Sequence, residues 1–260
     1  MTTTTAHTPA VTLTLAGRSL TRILRLPAAL VPTVAMPLFF LLGFSGSYSS
    51  LTELPGFPTD NILSWMAPWA VIQGSAFAGI GASAGVASDL EMGIYDRFVM
   101  APTTRISLLL GPIAAAMARV CLPVTTVLTV ALLAGAEVPA GIAGIVMLLV
   151  AAEGIAVVGT LWGLSIVYKL RTQRSTSLVQ VGIFVTMFLS IGQVPLNVMH
   201  EGWLHTVARV NPMTNLLRMA RQGFIGNVTW GDTWPGLLVI AVAATAFGWL
   251  ARRGLRNLTR

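Results

Sequence analysis

Charge, lysine and cysteine are all scarce in this sequence. Only 10% of the 260 residues are charged, whereas soluble domains carry about 25% charged residues. Hydrophobic residues make up 55% of the chain, and its mean hydropathy is +0.77. The single cysteine, Cys121, excludes a disulfide framework and a cysteine-based metal site. The composition indicates an integral membrane protein, and we expect an all-α fold.

The shortage of lysine bears directly on function. A P-loop needs the pattern Gly-x-x-x-x-Gly-Lys-Ser/Thr, but the sole lysine, Lys169, stands in VYKLRT. We therefore expect no ATP hydrolysis by this chain, no cofactor bound by it and no catalytic residue. No Ser-His or paired-carboxylate arrangement lies within the apolar stretches, which argues against an intramembrane enzyme. His200 and His205 lack the spacing and the additional ligands of a metal site, so none is predicted.

Six apolar stretches are long enough to cross a bilayer, for which a helix needs about 20 residues. They run approximately over 27–46, 62–87, 114–134, 141–167, 177–199 and 234–251. The second stretch contains small residues, which let helices approach one another closely: Gly74, Ala78, Gly81, Ala82 and Gly85. The sequence therefore predicts six transmembrane helices in a single domain over residues 11–260.

The segment before the first span has a different pattern. Residues 1–10 are rich in threonine, and we predict that they are disordered. Over residues 11–26, Arg18, Arg22 and Arg25 follow one another at i, i+4 and i+7 on one face of a helix, with apolar residues opposite. A helix of this kind lies in the membrane interface against lipids. The alternative is a simple flank before the first span.

Basic residues predict the orientation in the membrane. They collect before the first span, in the connection YKLRTQR between the fourth and fifth spans, and at the C-terminal end. The connections at 47–61 and 135–140 contain none. The positive-inside rule therefore places both termini and the segment 89–105 in the cytoplasm. The stretch 200–233 should lie outside, although it contains Arg209, Arg218 and Arg221. Because the net charge of +7 is spread over span ends in this way, we do not predict nucleic-acid binding.

The segment DLEMGIYDRFVMAPTTR, residues 89–105, concentrates charge between two apolar stretches. A charged residue at the centre of a membrane helix costs about 2.5–3.5 kcal/mol, so this segment must lie in water or against another protein. Its order of an acidic residue, Gly, an acidic residue with Arg, and then Pro resembles a signature of the ABC transporter type-2 permease family. In that family this loop forms a short coupling helix that docks on an ATPase subunit. The candidate coupling residues are Asp89, Glu91, Gly93, Asp96, Arg97, Pro102 and Arg105.

A second stretch, VPLNVMHEGWLHTVARVNPMTNLLRMARQGFIG at 194–226, resembles the other signature of the same family. In the family this region forms short re-entrant helices on the outer side, between the fifth and sixth spans, which would account for the arginines there. An Asn-Pro pair also favours a helix start, with Asn as the cap and Pro at the first position. The matching residues are Pro195, Trp203, Asn211, Pro212, Arg221 and Gly226.

The resemblance covers about residues 11 to 256 and implies the permease subunit of an ABC exporter in a bacterial plasma membrane. Two such subunits, identical or different, would pair through a small-residue face such as that of 62–87. They would bind separate ATPase subunits, which use ATP and Mg. The chain is similar to the short antibiotic-resistance permeases of the daunorubicin kind, so the expected cargo is an antibiotic, a drug-like or a lipid-like compound. Permeases that export polysaccharides or lipid-linked glycans share the architecture and remain an alternative.

Three polar side chains lie within predicted spans: Glu153, Gln73 and Gln193. An intramembrane carboxylate is a functional candidate, because Glu153 could contact substrate or carry a proton. It could equally hold helices in register. A proton-coupled multidrug transporter is therefore the rival hypothesis, although the repeated spans typical of such transporters are not evident. Tryptophans near span ends are expected to form aromatic belts: Trp65, Trp69, Trp203, Trp230 and Trp234.

Overall fold

A computed structural model describes residues 8–24, 31–100 and 104–258 of the chain. Within these ranges the secondary structure is entirely helical, as predicted, and includes one short 3-10 turn at Ser49–Glu53. The α-helices are α1 (Thr8–Leu24), α2 (Val31–Ser47), α3 (Ile62–Glu91), α4 (Ile94–Met100), α5 (Arg105–Leu133), α6 (Gly141–Leu170), α7 (Ser175–Phe188), α8 (Trp203–Val210), α9 (Pro212–Ile225) and α10 (Trp230–Leu258).

Helix α3 is the centre of the bundle. Every residue from 64 to 80 is buried, and the helix contacts α2, α5, α6, α7 and α9. Its small residues make this possible: a Cβ at Gly79 would collide with the carbonyl oxygen of Ala156 on α6. The suggestion that this small-residue face pairs two subunits is therefore wrong, because packing inside the subunit already covers it.

Four of the six predicted spans are confirmed as helices long and apolar enough to cross a membrane: α3, α5, α6 and α10. The stretch predicted at 27–46 corresponds to α2, and its residues 27–30 lie outside the described residues. The prediction of a span over 177–199 is wrong in its second half, because α7 ends at Phe188. At 1.5 Å per residue α7 is about 21 Å long, shorter than the ~30 Å hydrocarbon core of a bilayer.

Helix α1 begins earlier than the sequence predicts. Residues 8–10, expected to be disordered, form its first turn, with Pro9 at a position where the missing N–H has no intrahelical acceptor. The hydroxyl of Thr12 donates to the carbonyl of Thr8 at 2.8 Å. Residues 1–7, 25 and 26 lie outside the described residues. The helix packs along α5, where the side chain of Leu15 fits against Gly111.

The bundle has two polar ends. The α4 end comprises α4, the C-terminal ends of α3, α6 and α10, and the N-terminal ends of α5 and α7. The α9 end comprises α8, α9 and the opposite ends of the same long helices. Helix α1 reaches the α4 end through Arg18, and α10 reaches it where Gly254 approaches Tyr168. The first and last described helices therefore meet the same end of the bundle.

Candidate functional site

The α4 end is built around a break in the chain between α3 and α4. Helix α3 is capped at Met92, and Gly93 follows at φ +68°, a left-handed conformation that glycine adopts without steric cost. The chain then turns into the seven-residue helix α4. Glycine at this position therefore lets the long helix end and a separate short helix begin one residue later.

The structure places most of the predicted coupling residues at this break. Asp89 and Glu91 are in the last turn of α3, Arg97 is on α4, and Arg105 is the first residue of α5. Asp96 is also on α4, but its side chain lies outside what the structure describes, and Pro102 lies outside the described residues altogether. The break thus brings together the acidic and basic residues that sequence reasoning grouped.

Asp89 links α1 to the end of α3. Its carboxylate accepts hydrogen bonds from both terminal nitrogens of Arg18, at 2.8 and 3.0 Å, and from Arg22 at 3.3 Å. Arg22 also donates to the hydroxyl of Ser88 at 2.7 Å. The Arg18 guanidinium lies 5.1 Å from the ring centre of Phe98 on α4. Two of the three arginines on the basic face of α1, Arg18 and Arg22, are therefore directed at the break, a role that their spacing alone does not reveal.

A pair of tyrosines connects α4 to the transmembrane helices. The hydroxyl groups of Tyr95 on α4 and Tyr168 on α6 are 2.9 Å apart, and Tyr168 donates to the carbonyl of Leu108 on α5 at 3.3 Å. Burial raises the pKa of the Tyr95 phenol well above its usual value, so the group is neutral at physiological pH. Sequence reasoning missed this pair, because no local pattern relates two tyrosines 73 residues apart.

At the α4 end, Glu91 is hydrogen-bonded within the bundle, whereas two arginines are exposed on its surface. One carboxylate oxygen of Glu91 accepts a hydrogen bond from the backbone N–H of Gln173, at 2.7 Å, in the connection from α6 to α7. Arg97 and Arg105 are exposed, and so are the apolar side chains of Met92 and Met100. This exposed surface combines positive charge with methionine, which adapts its shape to a partner.

The α9 end is organised by a buried arginine. Arg221 is 1% exposed and donates to the carbonyls of Trp65, Ile191 and Gly192, each at 2.9 Å. Its guanidinium lies 3.6 Å from the ring centre of Trp65, and the indole N–H of Trp65 donates to the carbonyl of Gln193 at 3.0 Å. Side chains therefore satisfy the backbone that follows α7 where helical hydrogen bonds have ceased, which explains why the predicted fifth span stops early.

The aromatic-belt prediction is wrong for two of the five tryptophans. Trp65 and Trp69 are almost fully buried, because Trp65 serves the Arg221 network and Trp69 packs between Phe44 and Phe188. The other three tryptophans are exposed at the α9 end. Both the buried and the exposed tryptophans lie near span ends, so position in the sequence does not predict which of them are buried.

Asn211 has two roles at the same end. Its side-chain oxygen accepts a hydrogen bond from the N–H of Met213 at 2.9 Å, which caps α9 just before Pro212, so the predicted helix start is confirmed. Its amide nitrogen donates to the carbonyls of Thr186 and Leu189, at 2.7 and 2.8 Å. The last turn of α7 is therefore held by the cap of α9, a connection that sequence alone does not show.

The other residues of this signature have structural positions. Pro195 is buried in the turn after α7, and its carbonyl accepts a hydrogen bond from the N–H of Met199 at 3.0 Å. Trp203 begins α8 with its side chain exposed, and Gly226 follows the last residue of α9. Pro195 and Arg221 line the same small cavity at this end.

The polar residues within predicted spans do not form one site. Glu153 is half-buried and its Oε2 has no hydrogen-bond partner among the described residues. Gln73 is fully buried with both amide atoms unpaired, and the Nε2 atom of Gln193 is also unpaired in that part of the chain. No hydrogen bond joins the three. Sequence reasoning overlooked Arg119, a lone arginine in the predicted third span that is 3% exposed in α5; its signal was a single charge inside an apolar run.

An apolar cavity of about 460 Å³ lies between α6, α7, α9 and α10. Thr186 contributes a hydroxyl group to its wall, and the other lining side chains are aliphatic or aromatic, except for the thioether of Met213. Trp162 and Phe247 stack on this side of the bundle with ring centres 5.3 Å apart. The cavity can accommodate an apolar ligand and offers almost no hydrogen bonds for a polar one.

Comparison with known proteins gives matches that cover most of the chain. A family model described as ABC-2 type transporter matches residues 10–225. The daunorubicin resistance ABC transporter permease protein DrrB1 of Streptomyces coeruleorubidus is 25% identical over 252 residues, which cover 95% of this chain and 86% of that protein. Both matches include the α4 end and the α9 end.

Proposed function

Because the chain belongs to the ABC-2 type transporter family, we propose that it is the membrane-spanning permease subunit of an ATP-driven bacterial drug exporter. A separate ABC ATPase subunit supplies the energy, and a second permease subunit, identical or different, completes the transporter. The four long apolar helices and the similarity to a daunorubicin resistance permease support this function. The break at the α4 end is the observation that carries the coupling role.

The proposed docking surface is the exposed part of α4 and its flanks, at residues 92, 97, 100 and 105. Two hydrogen bonds would transmit a movement of α4 to the transmembrane helices. The Tyr95–Tyr168 hydrogen bond leads to α6, and the bond from Tyr168 to Leu108 leads to α5. Because a helix moves as a rigid element, a tilt of α4 would shift the ends of both long helices together. The α4 end is accordingly cytoplasmic in this proposal, in agreement with the positive-inside rule.

Helix α1 acts as a brace in the same proposal. It lies along α5, and Arg18 and Arg22 bind Asp89 at the end of α3. The brace would limit how far the break between α3 and α4 can open when the ATPase moves. Arg18 and Arg22 are both partly exposed, whereas the Asp89 side chain is largely buried, so opening this contact requires water or another donor to reach the carboxylate.

Helices α8 and α9 form the re-entrant pair on the outer side. Backbone that leaves the helical conformation at membrane depth is tolerated where protein buries it, and Arg221 and Asn211 provide this protection after α7. The unusual arginine on the outer side then has a structural purpose. Labelling a cysteine placed at exposed Arg218 with a membrane-impermeant reagent tests this; access only from the cytoplasm would contradict it.

The proposed cargo is apolar and drug-like or lipid-like. The cavity between α6, α7, α9 and α10 supports a hydrophobic compound over a polysaccharide, whose many hydroxyl groups would find few partners there. Replacing Ala243 with Trp should fill the cavity and slow export. Equal transport of a hydrophobic cargo by this variant would remove the cavity from the proposal.

Reconstitution tests the energy source. The purified chain, alone and with a co-expressed ABC ATPase, is placed in liposomes, and efflux of an uncharged fluorescent hydrophobic compound is followed with ATP or with a pH gradient, with protein-free liposomes as the control. We expect transport only with the ATPase and ATP. Transport by the chain alone, driven by the gradient, would overturn the proposal.

The rival proton-coupled transporter is supported by one observation, the unpaired Oε2 atom of Glu153. The same liposomes distinguish the two functions with Glu153→Gln, which cannot carry a proton. A proton carrier loses gradient-driven transport in this variant. An ATP-driven exporter of a neutral cargo retains most of its activity.

A further inference from the structure

Arg119 is a buried cation without a counter-ion. It is 3% exposed near the middle of the long apolar helix α5. Its Nη2 donates to the backbone carbonyl of Ser19 at 3.0 Å and to the Ser19 hydroxyl at 2.6 Å. Its Nε and Nη1 atoms have no hydrogen-bond partner among the described residues, and no carboxylate there lies within ion-pair distance of it. A charged group within a membrane helix usually faces a partner or a polar cavity.

The surroundings of Arg119 are positively charged. The like charge of Arg22 acts on it, and Arg18 and Arg22 both pair with the single carboxylate of Asp89. Two guanidinium groups therefore share one carboxylate and the third, Arg119, pairs with none among the described residues, so the cluster carries more positive than negative charge. The arginines of this cluster come from α1 and α5, and the carboxylate comes from α3.

Space adjoins the cluster. A cavity of about 50 Å³ is lined by Arg18, Ser19, Arg22, Gly85 and Asp89, which gives room for about four water molecules or one small oxyanion. Ser19, the residue that Arg119 contacts, is part of the wall. One turn before Gly85, Nη1 of Arg119 packs closely over Gly81, where an added Cβ would stand 3.3 Å from that atom.

We propose that Arg119, Arg22 and Arg18 form a binding site for a phosphate group, and that the phosphate belongs to an anionic phospholipid. Guanidinium groups match the oxygens of a phosphate in geometry and charge. Helix α1 has one basic and one apolar face, the pattern of a helix lying at the depth of lipid headgroups. The headgroup would supply acceptors to the free N–H groups of Arg119 and fasten α1 to the membrane.

This site is independent of the proposed export function, since it needs neither an ATPase nor a cargo. It assigns a purpose to the unpaired donors of Arg119 that the α4–ATPase contact does not explain. It also joins α1 to α5 through a ligand, so that lipid composition would alter the brace at the α4 end.

The test uses the full chain purified in a neutral detergent. Thermal unfolding is followed during titration with phosphatidylglycerol, with diacylglycerol of the same acyl chains, and with inorganic phosphate. A ligand that binds only the folded state raises the unfolding temperature. We expect phosphatidylglycerol to do so and diacylglycerol to have no comparable effect. A response to phosphatidylglycerol alone identifies a lipid headgroup, whereas an equal response to inorganic phosphate transfers the site to a soluble phosphate and overturns the lipid assignment.

Variants locate the binding. Arg119→Gln should weaken the apparent affinity for phosphatidylglycerol at least tenfold, whereas Arg252→Gln, which removes an exposed arginine from α10, should change it less than about twofold, as expected for a screened surface charge. Equal affinities of the two variants, or equal stabilisation by diacylglycerol, would refute the site.

A second variant keeps the test valid if Arg119→Gln does not fold. Gly81→Ala retains every charge and adds a methyl group 3.3 Å from Nη1 of Arg119, while alanine favours the helix. The proposal expects a several-fold weaker affinity for phosphatidylglycerol in this variant. Unchanged affinity would show that the phosphate does not reach Arg119.

Discussion

The two ends of the bundle both use arginine, but they use it differently. At the α4 end, Arg18 and Arg22 bind the side chain of Asp89 and remain partly exposed. At the α9 end, Arg221 is buried and binds three backbone carbonyls. A contact whose two arginines are partly exposed is weakened by solvent and screened by salt. A buried cation that binds buried backbone carbonyls must stay in place, because moving it leaves polar groups without that donor.

In the proposed mechanism, this difference means that the α4 end moves and the α9 end stays fixed. The α4 end has the properties of a mechanical joint, with a glycine at φ +68° and contacts made by side chains. The α9 end has the properties of a fixed frame, in which Asn211 and Arg221 hold the backbone after α7. A permease driven from one side needs both, since motion at the joint is useful only if the opposite end resists it.

The largest expected loss of stability is at the α9 end, where Arg221 holds the backbone. Arg221→Gln should lower the free energy of unfolding by about 3–5 kcal/mol, because buried carbonyls lose charged donors worth about 1–3 kcal/mol each. Unfolding in mixed micelles, followed by circular dichroism, measures it. Arg218→Gln removes an exposed arginine from the same helix and serves as the control. Similar losses in both variants would contradict the idea of a frame.

Asn211 should have the next largest effect. Asn211→Ala should cost about 2 kcal/mol in the same assay, since it removes a helix cap and two donors to α7. Asn211→Ser keeps a capping oxygen and removes the amide donors to α7, so it should fall between wild type and alanine. If serine restores full stability, the connection to α7 contributes nothing.

Breaking the contact between α1 and α3 at the α4 end should lower the free energy of unfolding less than the changes at the α9 end do. The loss should also depend on salt. Asp89→Asn should lower the free energy of unfolding by about 1 kcal/mol at low ionic strength, and high salt should reduce this difference. The loss in Arg221→Gln should not respond to salt in this way, because its partners are uncharged and buried. Glu137→Gln, an exposed acid at the α9 end, is the matched control. A salt-independent loss at Asp89 would make the two ends alike.

The smallest effect on stability belongs to the exposed surface of α4. Arg97→Ala should change the free energy of unfolding by no more than about 0.5 kcal/mol, as usual for surface positions. It should nevertheless reduce ATPase-coupled export, because Arg97 belongs to the proposed docking surface. Arg174→Ala, also exposed at this end, controls for loss of charge. Normal export by Arg97→Ala would place the docking surface elsewhere.

Much of this organisation could be predicted because it depends on local properties. Hydrophobic run length located α3, α5, α6 and α10, and the Asn211-Pro212 pair located the start of α9. The fifth span could not be bounded in this way. Its apolar residues continue past Phe188, but there the chain leaves the helix, and Asn211 and Arg221, far along the chain, donate to the carbonyls that follow it.

The sequence pointed to the residues of the candidate site but not to their hydrogen-bond partners. The charged segment at 89–105 was evident from composition, but the partners of Asp89 and Tyr95 were not, and Arg119 was overlooked as one charge in an apolar run. The error about the small residues of α3 has the same origin. A close-packing face was read correctly from the sequence, whereas the helix it packs against was not.

The sequence by itself determined that this chain is a helical membrane protein with a charged break at residues 89–105, because the cost of placing charge or unpaired backbone in lipid acts on each segment separately. Only the tertiary structure decided that Arg221 binds the carbonyl of a residue 156 positions away, that α3 lies at the centre, and that Arg18 meets Asp89. Those choices depend on which surfaces meet, and packing settles that for the whole bundle at once.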